Sequence, residues 1–201
     1  MSILDKVVAA VTPPESDESR RKARAKARAA AEAGDWLSQI LDHHEEIDAA
    51  FAAVRAAQEA TLRRTAQMEL AVLLSAHANA EEAVIYPALI HFGHKMHGTA
   101  GYTEQAGAKA NLGQLEYLDP MSQAFLDKLE HIRGAVAHHV YEEENDRFLD
   151  LKKLTASEQE WLTQRYAEEF DRFCGSGMDD AGEPRRANEL QDATLRPTSA
   201  Q

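Results

Sequence analysis

Along the middle of the chain apolar positions recur three and four residues apart, and the strict alternation of a strand is missing, so the sequence predicts helix almost throughout. The pattern predicts helices over about 35–57, 61–92, 99–118, 122–153 and 157–173. Gly93 and Gly98 fit the second connection, Asp119-Pro120 the third, and Thr155 to Glu158 has the form of an N-capping box for the last helix. Four long helices joined by short connections imply an all-α fold, an antiparallel up-and-down four-helix bundle. The additional short C-terminal helix is expected across its outside or one end.

Helical phase then selects the polar residues that face inward. At about 100° per residue, Leu70, Leu73, Leu74, His77, Glu81 and Val84 share one face of the second helix. In the fourth, Phe125, Leu129, Ile132 and Val136 continue into His139 and Glu143, whereas His138 and Glu142 point away. The chain thus carries two inward His-x-x-x-Glu pairs, His77 with Glu81 and His139 with Glu143. In the first helix Leu37, Ile40, Leu41, His44 and Phe51 form the matching stripe, and His43 is expected toward solvent or a neighbouring helix. A carboxylate in a core stripe is costly unless a cation or proton donor meets it, so these pairs point to a metal site between helices.

Composition limits the surroundings and the partners. With 201 residues the chain suits one domain, and a formal net charge of −12 argues against general nucleic-acid binding. No apolar run approaches the ~18–20 residues of a transmembrane helix and no signal-peptide core is seen, so a cytoplasmic protein is expected. The lone Cys174 has no partner for an internal disulfide. Residues 1–34 are expected to be a flexible or helical extension, with TPPESDES at 12–19 flexible and six basic residues among alanines between Ser19 and Ala33. That basic stretch reads as a solvated helical extension, with a recruitment arm as the sharper alternative. Residues 35–174 form the bundle, and 175–201, rich in Gly, Pro and polar residues, a disordered tail.

The blocks DHHEEIDAAF, HANAEEAVIYPAL and HHVYEEENDRFL resemble, in this order over roughly residues 35 to 153, the hemerythrin-like family of HHE cation-binding proteins. The resemblance implies two irons held by histidines from the four helices and bridged by carboxylates, with His44, His77, Glu81, His139 and Glu143 in those roles. It also implies that Tyr86-Pro87 closes the metal-bearing part of the second helix, with the Tyr86 ring at the bundle mouth. Manganese or a mononuclear site are the other metal readings.

One position departs from the family. In the third helix Gln105 stands where a histidine ligand is expected, and an amide oxygen is a far weaker ligand than an imidazole nitrogen. Three readings stay open: Gln105 leaves a coordination position free, it weakens one metal site, or another side chain replaces it, with Tyr102 one turn earlier as a candidate. His91, His94 and His97 are further candidates if their loop folds over the site. The resemblance implies a non-heme di-iron protein that binds or senses a small ligand such as dioxygen, peroxide or nitric oxide. The alternatives are a catalase-like enzyme that disproportionates peroxide and a structural or interaction bundle with a degraded site. The sequence specifies no protein partner.

Overall fold

The computed structural model describes residues 15–176, and all the regular structure among them is helical. The helices are α1 (Asp17–Ala30), α2 (Trp36–Ala56), α3 (Ala60–Ala80), α4 (Tyr86–His91), α5 (Lys95–Gln114), α6 (Gln123–Glu142) and α7 (Ala156–Ser176). Helices α2, α3, α5 and α6 make the antiparallel four-helix bundle, α2 packing on α3 and α5 on α6, with α2 to α6 and α3 to α5 closing the ring. Side-chain caps start several of them: Asp35 accepts from the Ser38 amide and Ser122 from the Phe125 amide. Glu158 accepts from the Thr155 amide at 2.8 Å in the capping box ahead of α7.

Two apolar clusters make the core. One gathers Trp36, Leu37, Ile40, Leu41, Val84, Ile85, Leu89 and Phe148; the other Ile47, Phe51, Val54, Leu70, Leu74, Leu129 and Ile132. Along α2 His44 lies between Leu41 of the first and Ile47 of the second, and His77 and Glu81 lie likewise between Leu74 and Val84. The polar residues therefore form a belt with a dry layer on either side, which raises the cost of leaving any of them unpaired.

The second and fourth helices of the sequence pattern are not uniform. Each passes into a π-turn, Glu81–Ile85 and Glu143–Arg147, and each turn begins on the carboxylate of a His-x-x-x-Glu pair. The Tyr86 amide bonds to the Glu81 carbonyl and the Phe148 amide to the Glu143 carbonyl, five residues back. The widened turn changes the phase of everything beyond it. In an unbroken α-helix Tyr86 would lie about 140° around from Glu81; wound through five residues in one turn, it returns over Glu81.

Helix α7 runs alongside α3 and α2 and buries Leu162 and Tyr166. Helix α1 is docked on the bundle through Ala23 and Ala27, and acidic groups of the bundle meet its basic side chains. Arg24 pairs with Glu144 at 2.9 Å and Asp48 at 3.2 Å, and Arg28 with Asp42 at 2.6 Å and Glu45 at 3.0 Å. Of the segment expected to be flexible at 12–19, residues 12–14 lie outside the described residues and Ser16 caps α1. Of the tail expected from 175, residues 177–201 lie outside them. No helix among the described residues is long and apolar enough to cross a membrane.

Candidate metal centre

His44 of α2, His77 and Glu81 at the end of α3, and Glu143 at the end of α6 are all buried and bring one donor atom each to within 4.8 Å of one another. His44 Nε2 stands 3.5 Å from Glu143 Oε2, and His77 Nε2 3.3 Å from Glu81 Oε2. His44 Nε2, Glu81 Oε1 and Glu143 Oε2 are shielded from solvent and have no hydrogen-bond partner. A folded protein rarely leaves such atoms orphaned, each at a cost of about 1–3 kcal/mol, and here three of them belong to one cluster. A cation satisfies all of them at once, so the donor set fits a metal.

The other oxygens of the same carboxylates face a second group. His139 Nε2 lies 3.1 Å from Glu143 Oε1. Beside both lies a side chain that the sequence reading placed at the bundle mouth: the Tyr86 ring is fully buried, and its hydroxyl projects into the centre. Its oxygen is 2.9 Å from Glu143 Oε1, 3.1 Å from Glu81 Oε2, 3.1 Å from His139 Nε2 and 3.1 Å from Gln105 Nε2. The π-turn supplies the direction, and Gly101 of α5 supplies the space, since a Cβ there would stand 2.6 Å from Tyr86 Cζ.

Gln105 is buried beside this group, but its amide nitrogen, not its oxygen, faces the cluster, donating to Glu81 Oε2 at 2.7 Å. It orients a carboxylate. Tyr102 does not reach the centre: its hydroxyl donates to the Glu82 carbonyl at 2.6 Å, and its ring meets the Tyr86 ring edge to face at 5.2 Å. His94 and His97 do not fold over the site either; they gather with Asp150 elsewhere. His138 pairs at the surface with Glu15 at 2.8 Å.

Each of the three imidazoles is held from behind through Nδ1, which leaves Nε2 directed at the centre. His44 Nδ1 meets Glu144 Oε1 at 2.9 Å, and Arg24 of α1 holds the same oxygen at 2.9 Å. His139 Nδ1 meets Glu104 Oε2 at 2.6 Å, with Arg147 clamping both oxygens of Glu104 at 2.7 and 3.1 Å. His77 Nδ1 meets the Tyr166 hydroxyl at 3.1 Å, which also reaches His43 Nδ1 at 2.9 Å. A single tautomer chain serves both: His77 Nδ1–H donates to Tyr166, and Tyr166 donates to His43. His43 thus faces α7, stacked on Phe170 at 3.8 Å. Sequence reasoning missed Tyr86 in this role, along with Glu104, Glu144 and Tyr166, although Glu144 stands directly beside Glu143 in the sequence.

Without a metal the pocket retains protons. Burial works against a charged His44, yet the nearby carboxylates of Glu143 and Glu144 raise it to about 9; against the same penalty, the charge of Glu143 and the bond to Glu104 raise His139 to about 10. Burial, with the neighbouring Glu143 charge, pushes Glu81 up to about 8. Glu143 is held well below the usual carboxylate range against its burial, by His139 and His44. Burial and the His44 charge hold His77 neutral, and burial with the two carboxylates pushes the Tyr86 phenol well up. Metal and protons compete for the same atoms.

Beside this group a cavity of about 10 Å³ is lined by His77, Gln105 and His139 together with Leu74, Ala108 and Val136. That is room for one water-sized molecule.

Residues 35–148 match the family model described as the hemerythrin HHE cation binding domain. A protein named DNA nickase from Nostoc sp. (strain PCC 7120 / SAG 25.82 / UTEX 2576) is 34% identical over 97 residues, which are 48% of this chain and 27% of that protein. The chain thus spans about a quarter of that relative's length. No solved structure matches.

Proposed function

The chain belongs to the hemerythrin HHE cation-binding domain family and is a metal-binding protein, and we propose that it carries a non-heme di-iron centre that binds or senses a small ligand such as dioxygen, peroxide or nitric oxide. Imidazole, carboxylate and phenol donors without a thiolate suit iron in either of its common oxidation states. His44, His77 and His139, the carboxylates of Glu81 and Glu143, and the Tyr86 phenol would hold the iron. Bound iron supplies electron transfer and open coordination positions. The chain's own residues do the rest: Glu144, Glu104 and Tyr166 orient the imidazoles, Gln105 holds Glu81, and the apolar clusters exclude bulk water. Tyr86 takes the place that the missing third-helix histidine leaves.

The observation that supports a small ligand is the cavity of about 10 Å³ against Gln105 and His139, which has room for one water-sized molecule and none for an organic substrate. Purified reduced protein is expected to give an absorbance change on adding dioxygen or nitric oxide that reverses when the gas is removed. Sustained evolution of dioxygen from added peroxide, abolished in His77→Ala, would establish the catalase-like enzyme instead. The nicking named for the Nostoc relative is not carried over, since the shared segment is a quarter of that protein and this chain has a net charge of −12.

One observation favours a mononuclear centre as the second reading. The Tyr86 oxygen occupies the point on which Glu81, Glu143, His139 and Gln105 converge, and a phenol that keeps its proton would close that half. Metal analysis separates the readings: two irons per chain and a Tyr86-dependent visible band support the pair, one iron and no such band the single ion.

A further inference from the structure

The loop histidines left unused by the centre form a cluster of their own. His94 stands at the position just before α5, His97 lies one turn on, and Asp150 follows the π-turn after α6; one donor atom from each lies within 4.8 Å of the others. His94 Nδ1 stands 3.3 Å from Asp150 Oδ2, and the two imidazole rings stack with centroids 6.0 Å apart. His97 Nδ1 is shielded from solvent and has no hydrogen-bond partner, although the residue as a whole is half-buried. A structural role for His94 as a partner of Asp150 accounts for one contact. It leaves the His97 nitrogen unexplained.

We propose that His94, His97 and Asp150 form a second, peripheral divalent-cation site, suited to a borderline ion such as Zn²⁺. Two neutral imidazoles and one carboxylate make the three-ligand set that zinc takes when its remaining position is left to water, and the half-exposed setting leaves room for that water. The backbone prepares the set. Gly93, at φ 95°, turns the chain out of α4 into α5. Gly98 lets α5 press against α4, since a Cβ there would stand 2.8 Å from the Tyr86 carbonyl oxygen. Both glycines fix where His94 and His97 point. A bound ion would tie the first turn of α5 to the segment after α6.

The test uses the untagged, iron-loaded full chain titrated with Zn²⁺ under equilibrium dialysis, with zinc and iron both quantified. One additional zinc per chain without loss of iron is expected. Asp150→Asn and His97→Ala should each weaken that uptake at least about tenfold while iron content stays at the wild-type level. Zinc should also raise the melting temperature of the wild type and not of the variants. Co²⁺ in place of Zn²⁺ gives a visible spectrum that reports imidazole ligation, lost in a His94→Ala, His97→Ala double variant. Zinc uptake matched by iron release, uptake unchanged in the variants, or no saturable uptake would each overturn the proposal. A variant that loses iron as well would mark a folding defect, and Asp150→Asn, the near-isosteric change, then decides alone.

Discussion

Gly101→Ala isolates the placement of Tyr86. The added Cβ would stand 2.6, 2.8 and 2.9 Å from Tyr86 Cζ, Cε1 and Cε2, against an ordinary carbon–carbon separation of about 3.5–4.0 Å. The ring must therefore retreat by roughly 1 Å. Its oxygen now lies 2.9–3.1 Å from Glu81, Glu143, His139 and Gln105, and no displacement of that size preserves all of these distances. The protein should stay folded with a bounded loss of stability: overpacking costs about 1–3 kcal/mol, while alanine in mid-helix recovers ~0.8–1.0 kcal/mol. The net loss is then about 0–2 kcal/mol, a fall in melting temperature of up to roughly 8 °C. Gly107→Ala is the control, because it lies in the same helix with nothing within 4 Å of its Cβ. It should gain ~0.8–1.0 kcal/mol and leave the centre alone. The assay pairs thermal melts with iron affinity from chelator competition and with the visible spectrum of the oxidised protein. Gly101→Ala should lose at least about tenfold in affinity and any Tyr86-dependent band. Wild-type affinity and spectrum in that variant would refute the role given to Tyr86.

Three further outcomes follow from the same geometry. Arg24→Ala frees Glu144, and through it His44 Nδ1, so iron should bind about 10–100-fold more weakly in chelator competition although Arg24 touches no candidate ligand. Tyr166→Phe removes the acceptor of His77 Nδ1–H and should likewise weaken iron binding; unchanged affinity would show that the ring needs no such anchor. In the metal-free protein His44 (about 9), His139 (about 10) and Glu81 (about 8) all lie above their unfolded values, so the stability they contribute is lost as pH rises through 8 to 10. Glu104, depressed to about 2, adds stability above its unfolded value that is lost only as pH falls toward 2. Metal takes the place of those protons, so the gap in melting temperature between loaded and metal-free protein should widen from pH 7 to 10, and loading in weak buffer should release protons.

The sequence by itself determined the helical class and the inward faces, because apolar spacing has a period that needs no partner to be read; Gly98, expected in the second connection, lies inside α5. The same phase rule set His44, His77, Glu81, His139 and Glu143 on core stripes, and the structure brings all five into one belt. What it could not carry was anything beyond a change of helical phase. Tyr86 is five residues past Glu81, and an unbroken helix turns it away; the π-turn that begins on Glu81 returns it. Tyr102, chosen for its nearness to Gln105 in sequence, spends its hydroxyl on the Glu82 carbonyl. The groups behind the imidazoles are likewise decisions of tertiary structure. Glu144 reaches His44 from 100 residues away, Tyr166 reaches His77 across 89 and Glu104 reaches His139 across 35. Local spacing specifies which faces meet, but only docking of whole helices decides which side chain stands beside Gln105, where a histidine was expected.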